Sequence, residues 1–258
     1  MARDEKLNSP VAAFCENRVT RIILNEPSRR NCLSAGFVRA LLDALAQANA
    51  DAGTGCLLLE QRGDVFCSGL DYEQLSASRE CGAIHSLFQV RGELRKPLIA
   101  AVHGACAGAG VGLLLQCHFV LAAQGTRFAL TDIHSAAWPF LYYAMLAGAI
   151  GPRRACELAL TGRVFSAADA LSFGLVQELV PPFELEDRAL QLAAGLASLS
   201  PAALSAGLAY DGRLHTTGAG GEAVEEFQHA LLTPDFIEAA AAAREKRKPV
   251  WPSLDTAR

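Results

Sequence analysis

Between Pro97 and Pro152 the chain carries only two side chains of the Asp, Glu, Lys or Arg type, Arg127 and Asp132. Asp132 is the one carboxylate of that long apolar stretch. A carboxylate in such surroundings suits general acid or base work, because burial opposes ionisation and brings proton exchange towards neutral pH. The other reading is structural: a buried pair with Arg127 or His134, or a cap at a turn. If the stretch is extended, Asp132 and His134 lie on one face, which makes His134 an auxiliary candidate beside the acid. Two glycine-bearing segments could supply the other half of a site. One is His103-Gly104-Ala105-Cys106-Ala107-Gly108-Ala109-Gly110-Val111-Gly112, after a strand and before an apolar helix. Backbone amides at such a junction point outward and are reinforced by the helix dipole, as an oxyanion or phosphate site requires. Close helix–strand packing through small residues is the alternative. The dinucleotide fingerprint would need glycine where Leu113 stands, and no Gly-Lys-Ser/Thr phosphate loop follows. The other segment is Val65-Phe66-Cys67-Ser68-Gly69-Leu70-Asp71-Tyr72. A nucleophilic Ser68 would need glycines in place of Phe66 and Leu70, so a tight turn at Gly69 that exposes the Leu70 amide fits better.

Several elements must position these segments. Val11 to Phe14 and Val19 to Leu24 read as short strands around Glu16-Asn17-Arg18. Ser34 caps a helix through Phe37, Leu41, Leu42 and Leu45. Cys56 to Leu59, Pro97 to Val102 and Phe119 to Ala123 read as buried strands, and Gly110 to Cys117 as helical. This β-then-α rhythm, without 20–50-residue internal repeats, points to a layered α/β fold. Glu184 to Leu199, Gly221 to Leu232 and Asp235 to Arg247 read as helices, the last stopped by Pro249. The expected division is an α/β core over residues 1–190 and a helical, assembly-forming region over 191–258.

Composition narrows the class. The 258 residues hold 23 Lys and Arg against 27 Asp and Glu, and only 19% are charged. An acidic balance without a basic face excludes a general nucleic-acid footprint. The charge-free runs from Pro97 to Thr126 and from Ile133 to Pro152 are long enough to test as membrane spans. Their glycines, histidines, proline and tyrosines favour a buried soluble core instead. Eight scattered cysteines without paired spacing suggest reduced thiols in a cytoplasmic protein. No His/Cys cluster has zinc-like spacing and H-E-x-x-H is absent, so no metal is expected.

Read together, the motifs resemble the crotonase superfamily, the enoyl-CoA hydratase/isomerase family. Leu24-Asn25-Glu26-Pro27-Ser28-Arg29-Arg30-Asn31-Cys32-Leu33-Ser34 is similar to that family's L-N-x-P-x-x-x-N-A-L-S, and Phe66 to Asp71 to its F-C-A-G-A-D. Lys96 to Gly104 resembles K-P-x-I-A-A-V-N-G, with His103 in place of asparagine. Glu157 to Arg163, Ala167 to Val176 and Glu245 to Pro249 follow in the family's order. The resemblance implies a spiral of ββα units with a helical C-terminal region, assembled as a homotrimer or hexamer. It also implies acyl-CoA thioesters as substrates, with no separate cofactor, and a thioester enolate stabilised by two backbone amides, here of Leu70 and Ala109. The positions matching the CoA and acyl contacts are Ser28, Arg29, Arg30, Ser68, Gly69, Asp71, Tyr72, Gly108, Trp138 and Lys246. The C-terminal aromatic of relatives falls on Ala243.

The acids depart from the pattern. The first glutamate of the family's hydratases falls at Gly112, and the second at Asp132. One carboxylate suits a proton shuttle from C2 to C4 better than addition of water, which is easiest with two. Isomerisation is therefore expected ahead of hydration, with a catalytically weak acyl-CoA-binding homologue as the alternative. Phe140 stands where haloaroyl-CoA dehalogenases carry a nucleophilic aspartate, which argues against that reaction. Trp138, Phe140, Tyr142 and Tyr143 suggest an apolar acyl pocket, with Tyr143 a further auxiliary candidate.

Overall fold

The structure, a computed structural model, describes residues 9–71, 74, 82–135, 137–217 and 234–255. Val11–Glu16 (β1) and Val19–Leu24 (β2) pair antiparallel. Asn17 and Arg18 turn the hairpin, both at positive φ, 49° and 65°. That is the mirror-image turn whose twist suits flanking strands. Helix α1, Ala35–Ala50, begins where the Ser34 side chain accepts the Phe37 amide at 3.2 Å. Its Phe37, Val38, Leu41 and Leu45 are buried along one stripe.

Three strand pairs then repeat one step. Cys56–Gln61 (β3) leads to Val65–Cys67 (β4), Leu98–Val102 (β5) to Ala105–Ala107 (β6), and Phe119–Ala123 (β7) to Arg127–Ala129 (β8). The first strand of each pair joins a six-stranded sheet ordered β1-β2-β3-β5-β7-β10, where β10 is Glu178–Val180. The second joins a four-stranded sheet ordered β4-β6-β8-β9, where β9 is Val164–Ser166. Each pair turns at a glycine of positive φ: Gly63, Gly104 and Gly125. At Gly104 a Cβ would overlap the Asp64 backbone, so the turns of the spiral stack with no side chain between them. Short helices Gly82–Leu87 (α2), Val90–Glu93 (α3) and Ala109–Leu114 (α4) lie between the pairs. The first strands start at residues 56, 98 and 119, an uneven spacing that hides the repeat from a search for a fixed period.

Strands buried on both faces read as continuous apolar runs. Leu57 and Leu59 of β3 enter the main core with α1, while Leu58 faces the other way. That second face is covered by helix α8, Leu185–Ala197, through Leu185, Ala189, Ala193 and Ala197. The division expected at residue 190 thus falls inside a helix packed on the sheet along its length. Between β8 and α8 run Tyr143–Ile150 (α5), Pro152–Thr161 (α6) and Ala167–Phe173 (α7).

Three helices follow among the described residues: Pro201–Thr217 (α9), Pro234–Glu245 (α10) and Pro252–Asp255 (α11). The helix expected over Gly221 to Leu232 lies outside the described residues. Two carboxylates clasp the end of the chain. Asp235 accepts Ser200 Oγ at 2.5 Å, Ser253 Oγ at 2.8 Å and the Ser253 amide at 3.0 Å. Glu238 accepts the Val250 amide at 2.7 Å and pairs with Arg247 at 2.5 Å. No single helix among the described residues is long and apolar enough to cross a membrane. The two charge-poor runs are divided into short strands and helices instead. Seven of the eight cysteines fall among the described residues, all as free thiols.

Candidate active site

Three segments meet at one point, and local hydrogen bonding explains how each is held. The turn Pro27–Arg29 is followed by Arg30 and Asn31, both at positive φ. Asn31 is buried. Its Oδ1 accepts the Glu26 amide at 2.8 Å, and its Nδ2 donates to Arg62 O at 3.1 Å and Val65 O at 2.8 Å. The loop is thereby pinned to the β3–β4 connection and lies alongside residues 68–71. Ser68 N donates to Arg30 O (3.1 Å), Leu33 N to Gly69 O (2.8 Å) and Asp71 N to Leu33 O (3.3 Å). This parallel bridge between Leu33 and Leu70 uses alternate peptide groups. The Leu70 N–H faces away from it and has no hydrogen-bond acceptor among the described residues.

The second segment rises from β6 into α4. Gly108, at φ 53° and ψ −127°, turns the chain, and its amide donates to Ala129 O at 2.9 Å. Ala109 is the first residue of the helix, so its N–H has no intrahelical partner. It is fully buried. The two turns are in close approach: a Cβ on Gly69 would stand 3.4 Å from Ala109 N and 3.6 Å from Gly108 Cα. Two amide donors, one at a helix start, therefore sit side by side.

The third segment carries the acid. Asp132 lies in a 3₁₀ turn, Thr131–Ser135, and is 3% exposed. A Cβ on Gly108 would be 3.4 Å from Asp132 Oδ2, so the carboxylate borders the same point as the amides. Tyr142 donates its hydroxyl to Asp132 Oδ2 at 2.5 Å. The Tyr142 ring also fills the space above Gly112, where an added Cβ would be 2.7 Å from its Cγ and 2.7 Å from Phe88 Cε1. Paired amides can stabilise charge developing on a carbonyl oxygen, and an adjacent carboxylate can move a proton at the neighbouring carbon.

The sequence profile of the enoyl-CoA hydratase/isomerase family matches residues 15–253. The chain belongs to that family, within the crotonase superfamily. It is 34% identical over 241 residues to the "Probable enoyl-CoA hydratase" of Rhizobium meliloti, covering 90% of this chain and 94% of that one. It is 29% identical over 262 residues to the peroxisomal Δ(3,5)-Δ(2,4)-dienoyl-CoA isomerase of Arabidopsis thaliana, covering 93% and 94%. The enoyl-CoA hydratase structure of Mycobacterium smegmatis superposes with a TM-score of 0.85 at 28% identity, covering 95% and 99%. The fold is crotonase-like, and the chain is an enzyme of the hydratase/isomerase family acting on acyl-CoA.

The remaining expected site residues divide. Gly69 and Gly108 form the close approach, with Ser68 beside them. Arg29 is held by Asp71 at 2.7 Å and lies 3.9 Å from Glu26, whereas Arg30 makes no ion pair among the described residues. Ser28, Arg29 and Arg30 are exposed on the rim. Tyr72 lies outside the described residues. Lys246 is exposed beyond α10 at φ 54°, and no hydrogen bond or ion pair among the described residues ties it to the site. His134 does not share a face with Asp132. The stretch is 3₁₀-helical rather than extended, which rotates the two apart, and His134 Nε2 lies 3.4 Å from Gly162 O. The Tyr143 ring packs against Trp138, tilted by 45° with 5.1 Å between ring centroids. Burial and the neighbouring Cys156 push its phenol pKa up. Its predecessor Tyr142, read from the sequence as part of an apolar acyl pocket, is the tyrosine that reaches the acid. Phe140 is 81% exposed and stands at the mouth of a cavity of about 710 Å³ that Phe88, Leu141 and Met145 also line. Beside the amides, burial pushes the Cys67 thiol up to about 12 and raises that of Cys32. Both thiols are therefore neutral at neutral pH: Cys32 Sγ donates to Gly69 O at 3.4 Å, and Cys67 Sγ accepts the Gly69 amide at 3.4 Å.

Proposed function

We propose that this enzyme shifts a double bond in enoyl-CoA thioesters, from the 3- to the 2-position, with Asp132 as its single proton carrier. The observation that carries the reading is the occupied space above Gly112: two aromatic rings stand where a second acid would have to project. Hydration needs one group to orient water and another to handle the second proton. Isomerisation needs one carboxylate. Asp132 takes a proton from C2 of a 3-enoyl thioester, and the electron pair moves through the C1–C2 bond onto the thioester oxygen. The resulting dienolate oxygen lies between the Leu70 and Ala109 amides, which are in place before charge develops. A preorganised donor of this kind contributes about 3–4 kcal/mol of barrier lowering. Asp132 then returns the proton to C4 as the electrons move back, leaving a 2-enoyl thioester. No water is consumed and no proton is lost.

Arg30, together with Ser28, Arg29 and Ser68 on the rim, is assigned to the CoA phosphates and adenine, for which a guanidinium is suited. Exposed Lys246 and the helical C-terminal region fit a homotrimer or hexamer in the cytoplasm, with the lysine reaching a neighbour's nucleotide. The test offers 2-enoyl- and 3-enoyl-CoA thioesters of several chain lengths to wild type and Asp132→Ala, with the isomers separated by liquid chromatography and the products identified by mass spectrometry. Conversion of 3-enoyl to 2-enoyl thioester by wild type and its loss in the variant support the proposal. A 3-hydroxyacyl product, or isomerisation that survives in Asp132→Ala, refutes it. Tight CoA-ester binding with no turnover at all would identify a binding protein instead.

A further inference from the structure

Position 112 has no side chain, and the space it leaves is filled in a specific way. Tyr142 and Phe88 both close over it, with ring centroids 5.5 Å apart. Tyr142 is 2% exposed. Its ring is anchored from the backbone, where the Tyr142 amide donates to Pro139 O at 3.1 Å and its carbonyl accepts the Leu146 amide at 2.9 Å. From that base the hydroxyl ends on Asp132 Oδ2. Core packing alone needs a phenylalanine here. The hydroxyl is a polar group in a buried place, and its acceptor is Asp132, the carboxylate bordering the two amides.

We propose that Tyr142 is the positioning residue for Asp132, holding the carboxylate at one orientation and keeping water off it. The inference rests on the isomerase reading above. An aspartate turns about two side-chain bonds, and clamping one carboxylate oxygen from a fixed ring removes that freedom. The same acid must serve two carbons in succession, so a fixed orientation favours transfer at both. It also governs where the proton goes. The C2–H bond breaks as an O–H bond forms on Asp132, and that O–H bond breaks as the C4–H bond forms. With the phenol occupying the position a water would take, the proton returns to the substrate instead of exchanging with solvent.

The test is Tyr142→Phe, which keeps the ring against Gly112 and Phe88 and removes only the oxygen. Isomerisation of a 3-enoyl-CoA in D2O is followed by kinetics and by mass spectrometry of the label. The expected result is a kcat lower by about 10- to 100-fold, the range for a hydrogen bond to a charged group. KM is expected within about twofold of wild type, as for a step-specific loss, with deuterium at C4 rising well above the wild-type level. Phe88→Leu, which disturbs the same packing but retains the hydroxyl, is expected to keep the wild-type label pattern. If Tyr142→Phe matches wild type in kcat and label while Asp132→Ala is inactive, the positioning role is overturned and the isomerase reading stands. Equal label scrambling in Phe88→Leu overturns it too, because packing would then be the cause. No isomerisation by wild type on any 3-enoyl thioester overturns both.

Discussion

Ala109→Pro separates the oxyanion donor from the fold that presents it. Ala109 is the first residue of α4, and its N–H has no intrahelical acceptor to lose. The first helical position is the one where proline is favoured, since its ring fixes φ near the helical value. The preceding residue is normally restricted by proline, but Gly108 at φ 53° and ψ −127° has the mirror image of the extended conformation that proline accepts. The substitution therefore replaces an N–H by a ring carbon at the point where the thioester oxygen would sit, with little backbone strain. Loss of one preorganised donor corresponds to about 10²–10³ in kcat, or about 2.7–4 kcal/mol. The added ring carbons lie in a fully buried place, and overpacking there costs about 1–3 kcal/mol. At this chain length that lowers the melting temperature by several degrees, about 2–4 °C per kcal/mol. The assay is steady-state isomerisation of a 3-enoyl-CoA beside thermal unfolding of the same preparations. A folded Ala109→Pro protein retaining more than about a tenth of wild-type kcat would refute the assignment of this amide, because the smallest expected effect is larger.

Other consequences are equally open to measurement. Gly112→Ala gains about 1 kcal/mol of helix propensity but places a methyl 2.7 Å from each of two buried rings. Overpacking wins, so melting falls by a few degrees and kcat by about tenfold as the Tyr142 hydroxyl is pushed off Asp132; an unchanged enzyme would show that the rings move freely. Arg30→Ala is expected to raise KM for CoA thioesters by about 3- to 10-fold at constant kcat, the pattern of lost ground-state binding. A fall in kcat with KM unchanged would remove Arg30 from nucleotide recognition. The C-terminal clasp depends on pH. The Arg247 pair and the Val250 amide lower Glu238 from 4.5 to about 2, and hydrogen bonds from Ser200 and Ser253 outweigh the opposing burial to lower Asp235. Depressed carboxylates stabilise above their unfolded values and lose that contribution as pH falls through the folded ones. Undocking of residues 249–255 is therefore expected between about pH 4.5 and 2, read by Trp251 fluorescence as its bond to Ser198 O breaks. A flat signal in a Trp138→Phe background would contradict it.

What was legible in the sequence follows from the range of the interactions concerned. Val19–Leu24 and Phe119–Ala123 match their observed bounds because an apolar run flanked by turn residues is a local signal. The Ser34 cap was readable for the same reason. The three-residue strands β4, β6, β8 and β9 went unread, since three residues are too few to show a period of two. The Gly69–Leu70 turn was legible because glycine marks backbone geometry directly, whereas the glycine run left an amide site and close packing both open. That they lie against each other is a property of the spiral and is not written in either segment. His134 was misplaced by assuming an extended stretch where the chain makes a 3₁₀ turn. Tyr142 was undervalued because its meaning depends on two partners, Gly112 and Asp132, brought to it by packing. Seen alone it is an aromatic residue before an apolar helix.

The central claim is that one carboxylate, Asp132, carries a proton between two carbons of an acyl thioester and adds no water. The most direct measurement incubates a 3-enoyl-CoA with wild type and with Asp132→Asn, which removes the base while keeping the side-chain shape, separates the double-bond isomers by liquid chromatography and weighs each product. Wild type is expected to give a 2-enoyl-CoA of unchanged mass and no 3-hydroxyacyl-CoA, at a rate at least about 10²-fold higher than the variant's, as expected for loss of the acid–base group. A product heavier by one water, or an Asp132→Asn enzyme as fast as wild type, would contradict it.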